Sequence, residues 1–410
     1  MRRVVITGLG VVSPIGNDVS TFWHNLQSGV CGINTITLYD TTDMPVKIAA
    51  EVKDFSVEEY GIDRGMARRS DRYCQFALAA AAQAMEDSGI QGSIDPSRLG
   101  VYVGSGIGGM QTFINECIKM KEEGANRVSP LFIPMMISNI AAGNVAIANH
   151  AEGPCLPVVT ACATSTHAIG EAYRAIAYGY ADAIIAGGAE ATINPLAVGG
   201  FTNCKALSKS TNPLEASLPF DARRAGFVIG EGSGIVILEE YEHAKARGAK
   251  IYGELCGYGN TCDAYHYTAP KPDGSCASLA IRQAMEQAKY TSDDVVYVNA
   301  HGTGTPLNDK SETKALKLAF GEEDAKKLHI SSSKSMTGHT LGAAGGMEVI
   351  ISALSLQNGV VTPTIGLTTP DPECDLDYTP LQAKMVDLTL AFSNSLGFGG
   401  HNACVAIRKI

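Results

Sequence analysis

Short runs of β-branched and other apolar residues alternate along the chain with longer, Ala-rich stretches. Val4–Thr7, Leu99–Val103, Ala183–Ala186 and Gly234–Leu238 have the length of strands, and Gln75–Asp87, Ile140–Asn149 and Ser278–Ala288 the length of helices. The strand runs are continuously apolar, which predicts burial on both sheet faces, and their succession with helices predicts an α/β protein. The stretch Gln75–Asp87 is apolar on nearly every side and predicts a helix packed between layers. No Pro- or Ser-rich segment divides the chain, so any halves are fused and not tethered.

A weak internal echo runs through this pattern. Val158–Gly170 reads as a strand, a tight turn and an Ala/Gly-rich helix, and His329–Gly345 has the same plan. Val101–Gly106 and Tyr297–Gly302 both end a strand in small residues. Two like units with their turns facing one another would gather four such turns at one place.

The 410 residues, 45% of them hydrophobic, exclude a disordered chain and predict two or three structural units or one large fused core. No apolar run approaches the roughly 18 residues of a membrane helix. A net charge of −10 offers no general attraction for nucleic acid. Against that background Arg64, Arg68, Arg69 and Arg72 form a basic window, tempered by Asp63 and Asp71, which fits an acidic or phosphorylated partner. Eleven cysteines scattered singly, without CxxC or metal-type spacing, predict thiols in a reducing compartment, the cytoplasm by default. The start, Met1-Arg2-Arg3 followed by Val4-Val5-Ile6-Thr7, is soon broken by Gly8, Gly10 and Pro14 and predicts a first strand instead of an export signal.

Among the cysteines, Cys162 stands where a strand gives way to a helix, flanked by small residues. Helix N-terminal amides there lower a thiol's pKa and donate to a tetrahedral oxyanion, so the position predicts a nucleophile whose thiolate forms readily. His301, in Asn299-Ala300-His301-Gly302-Thr303-Gly304, and His339, in Lys334-Ser335-Met336-Thr337-Gly338-His339, both lie on turns between a strand and a helix. Two imidazoles so presented can each donate an N–H to a thioester carbonyl gaining negative charge. Phe398, the single aromatic in the glycine run 397–400, fits a gate over a pocket. Gly104-Ser105-Gly106-Ile107-Gly108-Gly109 satisfies G-x-G-x-x-G, the mark of a nicotinamide-dinucleotide site. But it comes late in the chain, and its acidic candidates Glu122 and Glu123 fall in a charged, loop-like stretch, so close packing of backbone against an acyl chain is the better reading.

The segments Thr160–Gly170, Ala300–Pro306, Ser333–His339 and Asn394–Asn402 together closely resemble the condensing β-ketoacyl-[acyl-carrier-protein] synthases of the thiolase superfamily, in particular the elongating type of bacterial fatty acid synthesis. The resemblance covers essentially the whole chain. It implies a thiolase-like α/β fold of two similar halves, residues 1–250 and 251–410, with a five-layered αβαβα core and a homodimer. It implies a decarboxylative Claisen condensation: Cys162 takes the acyl group from acyl carrier protein, and His301 and His339 bind the malonyl thioester as it becomes an enolate. The backbone N–H groups of Cys162 and Phe398 would form the oxyanion hole, and Lys334 would support the electrostatics without acting as base. Ile107 and Phe201 match pocket-lining positions, and Thr268, Thr303 and Thr305 match contacts of the phosphopantetheine arm. Arg69, Arg72 and Lys205 match carrier-protein contacts, with Arg68 in the same basic window. Asn299, Glu348, Ser393 and Asn394 match a structural sodium or potassium site; no other cofactor is implied. Two departures stand out. Arg224-Ala225-Gly226-Phe227 replaces the usual Arg-Asp-Gly-Phe, with an altered local salt bridge expected, and Pro306-Leu307-Asn308-Asp309 also occurs in type II polyketide ketosynthases, the alternative pathway.

Overall fold

In a computed structural model covering residues 1–410, nine strands hydrogen-bond into one mixed sheet. Their order is Leu99–Gly104, Ala183–Glu190, Gly232–Glu240, Val4–Val12, Gly253–Cys262, His401–Arg408, Leu390–Gly397, Val296–Asn299 and His329–Ser331. The order contains the same pattern twice. Leu99–Gly104 is parallel to Ala183–Glu190, and Gly232–Glu240 and Val4–Val12 follow antiparallel. Val296–Asn299, Leu390–Gly397, His401–Arg408 and Gly253–Cys262 repeat these directions. The two sets join where Val4–Ile6 pairs with Gly253–Leu255. Even the outer edges correspond: Val101 pairs in parallel with Cys155, and Tyr297 with His329.

Three large apolar cores, beside two smaller clusters around Cys162 and Val228, fill the space between five layers. The largest lies between the two half-sheets and encloses helices Thr164–Ala177 and Ala344–Asn358; the other two large cores lie under helices Arg72–Ser88 and Ile140–Asn149 on one side and Ser275–Ala288 and Pro306–Phe320 on the other. Successive residues of one strand serve different cores, with Val236 and Leu238 facing the middle and Ile235 and Ile237 facing outward. That is why the strands read as unbroken apolar runs. The Ala-rich helix Arg72–Ser88 is buried along most of its length against the sheet and helix Ile140–Asn149, as its composition predicts, although it belongs to an outer layer. It is pressed onto the first strand, and a Cβ on Gly10 would lie 1.9 Å from the carbonyl oxygen of Ala80. The second half copies this contact, where a Cβ on Gly259 would lie 1.8 Å from the oxygen of Ala280. The polar rim of the contact is copied too: Gln83 accepts from the N–H of Val11 at 3.4 Å, and Gln283 from that of Asn260 at 2.9 Å.

Element ends are set by local chemistry. Arg72–Ser88 begins earlier than its apolar pattern because the Asp71 side chain accepts from the N–H of Tyr73, and it ends at Gly89 in the left-handed region. Met110–Glu123 is one helix, so Glu122 and Glu123 lie in its last turn and not in a loop. No helix is long and apolar enough to cross a membrane.

Candidate active site

Cys162 sits in the single turn Ala161–Ala163 that leads into helix Thr164–Ala177. The approach is fixed by the N–H of Thr160 donating to Thr164 Oγ1 at 2.9 Å and by Thr160 Oγ1 bonding His167 Nδ1 at 2.9 Å. The backbone N–H groups of Phe398 and of Cys162 itself bear on the sulfur. Gly397 makes that approach feasible, since a Cβ there would lie 2.7 Å from the carbonyl oxygen of Thr160 and 3.3 Å from the nitrogen of Cys162. The expectation of a readily formed thiolate is corrected. Burial pushes the thiol up to about 12, and the Lys334 charge and the two N–H groups only partly oppose it.

Cys162, His301, His339 and Phe398 line one cavity, together with Thr268, Thr303 and Thr305. His301 follows the strand Val296–Asn299, and its turn is locked because Glu312 accepts the N–H of His301 at 2.7 Å and of Gly302 at 2.8 Å. His339 is held between the halves, donating its N–H to the Val228 carbonyl at 2.7 Å and accepting from Gly230 at 2.9 Å. The two imidazole centroids are 5.3 Å apart, and Phe227 packs edge-on against His339 at 5.1 Å. Burial, reinforced by the Lys334 charge, holds both imidazoles well below the usual histidine range, so each is neutral at pH 7 and keeps one N–H. Neither Nδ1 has a hydrogen-bond partner in the chain.

Lys334 and Glu348 form a buried ion pair beside these rings. Burial raises the Glu348 carboxyl, while Lys334 holds it down. Glu348 Oε2 is left without a partner, and so are the buried Asn299 Oδ1, Ser393 Oγ and Asn394 Oδ1. Asn299 and Ser393 are register partners on adjacent strands. Four unsatisfied oxygens including one carboxylate fit a hard monovalent cation.

The remaining expectations divide. Phe201 packs against Phe398, with centroids 6.4 Å apart, and against Phe227. Like Phe201, Ile107 is not among the residues lining this cavity; it is 39% exposed, and its amide donates to Glu190. Arg64, Arg68, Arg69 and Lys205 are exposed. Arg72 is not a free cation, because its guanidinium is tied to the buried Glu231 at 2.7 Å and to the Val52 carbonyl at 3.1 Å. The glycine nest at Gly104–Gly109 already holds a carboxyl group of the chain's own: Glu190 accepts from Gly106 N at 2.8 Å and Ile107 N at 3.2 Å, where a dinucleotide would place its pyrophosphate. Nor does Ala225 deprive Arg224 of a partner. It is exposed, and Arg224 pairs with Asp371 at 2.7 Å and Asp309 at 3.7 Å.

Sequence reasoning missed Glu190, Glu312 and Gly397. Glu190 follows two glycines at a strand end, a sign of close packing around a carboxylate, whereas Glu312 is hidden in a helix of charged residues and carried no signal.

Family profiles match both sides of this cavity: the β-ketoacyl synthase N-terminal domain over residues 1–244 and its C-terminal domain over residues 252–368. The chain is 51% identical to 3-oxoacyl-[acyl-carrier-protein] synthase 2 of Staphylococcus aureus over 409 residues, covering 100% of this chain and 98% of that one. It is 48% identical to the Synechocystis protein of the same name over 410 residues, with 100% and 98% coverage. Among solved structures, a β-ketoacyl synthase from Burkholderia phymatum superposes with a TM-score of 0.92 at 35% identity over 100% of both chains. A type II polyketide ketosynthase, in complex with its acyl carrier protein and bound to the hexaketide, gives 0.91 at 36% identity over 100% of this chain and 99% of that one. The repeated half-sheets, the cysteine and histidines that meet between them and these matches have one reading: the chain belongs to the β-ketoacyl synthase family.

Proposed function

We propose that this protein elongates fatty acyl chains, condensing acyl carrier protein-bound acyl groups with malonyl-acyl carrier protein to give 3-oxoacyl-acyl carrier protein, CO2 and free carrier. The observation that carries the reading is the meeting of Cys162, two neutral imidazoles and the Phe398 amide in one buried cavity. In the first half-reaction Cys162 Sγ attacks the acyl thioester carbon. The oxyanion accepts from the N–H groups of Cys162 and Phe398, and the pantetheine sulfur leaves with the proton the thiol gave up. A thiol pushed up to about 12 loses its proton in step with attack instead of resting as a thiolate. In the second, His301 and His339 donate N–H bonds to the malonyl thioester oxygen as the bond to the carboxylate breaks and CO2 departs. The enolate carbon then attacks the acyl-Cys162 carbonyl, and Cys162 is expelled as a thiolate that takes up one proton from water. Neutral donors suit this step, since they stabilise the enolate without handing it a proton.

Lys334 sets the potential of the site, Thr268, Thr303 and Thr305 guide the pantetheine arm, and Phe398, with Phe201 packed against it, gates the cavity. The partner is acyl carrier protein, an acidic protein met by Arg64, Arg68, Arg69 and Lys205. The carrier complex of the polyketide relative supports this choice. Asn299, Glu348, Ser393 and Asn394 would hold a sodium or potassium ion that neutralises charge at the strand ends, and the chemistry itself needs no other cofactor. A homodimer would cover Phe113, Ile133, Leu156 and Val159, which are 42–54% exposed in the single chain. Eleven unpaired cysteines suit the cytoplasm.

The polyketide alternative draws on the ketosynthase likeness at 36% identity, below the 51% to the fatty acid enzymes. Mass analysis of products from acyl- and malonyl-carrier substrates tests the proposal. A single addition of two carbons to saturated acyl chains is expected; repeated condensation to an unreduced polyketone would overturn it in favour of the alternative.

A further inference from the structure

The mechanism above leaves one buried carboxylate beside the nucleophile without a task. Glu190 ends the strand Ala183–Glu190 and is fully buried, with no Lys, Arg or His paired to it. Instead its oxygens accept four hydrogen bonds: from Ser105 Oγ at 2.8 Å, Gly106 N at 2.8 Å, Ile107 N at 3.2 Å and Gly342 N at 3.1 Å. Three donors belong to the loop after Leu99–Gly104, and the fourth to the turn Leu341–Ala343 that opens the central helix of the other half. Both tied segments touch the nucleophile's own turn. A Cβ on Gly106 would lie 3.4 Å from the Ala161 carbonyl oxygen, and the Gly342 carbonyl accepts from Ser165, three residues after Cys162. Glycine at 342 is required by this arrangement, because a Cβ there would lie 2.7 Å from Glu190 Oε2 and 2.4 Å from Gly106 N.

We infer that Glu190 is a positioning residue of the acylation step, fastening the 105–107 loop to the Gly342 turn so that the Ala161–Ser165 segment between them holds the Cys162 sulfur under the Phe398 and Cys162 amides. It touches no substrate. Its carboxylate satisfies donors on both sides of the nucleophile's turn, a task that an amide with a single acceptor oxygen cannot fulfil. The histidines have anchors of their own, His301 at Glu312 and His339 at Val228 and Gly230, so decarboxylation does not depend on the Glu190 tie.

The inference rests on the condensing reading, and the test separates the two. The rate of Cys162 acylation by acyl-carrier protein is measured by rapid-quench intact mass for wild type, Glu190→Gln and the milder Ser105→Ala, beside CO2 release from malonyl-carrier protein. Glu190→Gln is expected to slow acylation about tenfold, the consequence of replacing one of two acceptor oxygens by an amide N–H2 that faces backbone donors. Ser105→Ala should slow it less, and both should keep decarboxylation within about twofold of wild type. Equal losses in the two half-reactions, or unchanged acylation in Glu190→Gln, would overturn the positioning role. If Glu190→Gln does not fold, Ser105→Ala decides, and unchanged acylation in that variant overturns it. A wild type that takes up no acyl group would instead refute the condensing reading itself.

Discussion

Ala161 and Leu341 share an unusual backbone setting: each has a φ of 50°, in the left-handed region, and each begins the turn that starts the central helix of its half. A side chain in that region costs about 1–2 kcal/mol, so its presence at both equivalent places marks a geometry the fold holds twice. The residue that follows differs. In one half it is Cys162, the nucleophile; in the other it is Gly342, whose N–H is turned to Glu190.

The tight fit at Gly397 gives the first prediction. Gly397→Ala should lift the Phe398 amide from the sulfur and lower kcat about 100-fold, the usual effect of losing one oxyanion donor. Steady-state assays check this, with circular dichroism confirming that the fold is kept.

Lys334 and Glu348 are both 2% exposed, so removing either one strands a charge. Lys334→Ala and Glu348→Ala should each lose about 3–5 kcal/mol, whereas Lys334→Met combined with Glu348→Leu should lose less than either single change. Urea unfolding of the three variants measures the difference, and all three should be inactive.

Two arginines only three residues apart should behave differently. Arg72→Ala leaves Glu231 buried and unpaired and should cost about 2–4 kcal/mol in unfolding experiments. Arg69→Ala should change stability by less than about 0.5 kcal/mol but weaken carrier-protein binding, with a smaller salt dependence than wild type. Fluorescence anisotropy of labelled carrier protein at two salt concentrations reads the second effect.

Burial pushes Glu312 up to about 7 from the ordinary 4.5. The folded protein therefore keeps a proton that the unfolded chain releases. The resulting stability is fully present below about pH 4.5 and is lost as pH rises through about 7. Glu312→Gln lacks this titration, so the stability advantage of wild type over the variant should shrink by about 3 kcal/mol between those limits, as read by urea unfolding across the range.

The sequence announced the reacting groups more plainly than their supports. Cys162, His301, His339 and Phe398 stand in small-residue turns, where a reactive side chain is conspicuous. The echo between Val158–Gly170 and His329–Gly345 pointed to the repeated halves. The stronger repeat, Gly10 on Ala80 and Gly259 on Ala280, went unseen because alanine and glycine carry no pattern of their own until a strand and a helix are laid together. Arg72 looked like its exposed neighbours, since nothing in a basic run tells which guanidinium turns inward to a glutamate 159 residues away. The acidity of Cys162 was misjudged for a related reason: helix amides can be read from sequence, but the depth of burial that outweighs them cannot.

Intact-mass analysis after mixing the protein with a medium- or long-chain acyl-carrier protein tests the central claim most directly, with Cys162→Ala alongside and peptide mapping of the adduct. The account predicts one acyl mass on the wild type alone, on the peptide that contains Cys162, discharged by malonyl-carrier protein as a β-ketoacyl product two carbons longer. An adduct that persists in Cys162→Ala, or a wild type that takes up no acyl group, would contradict it.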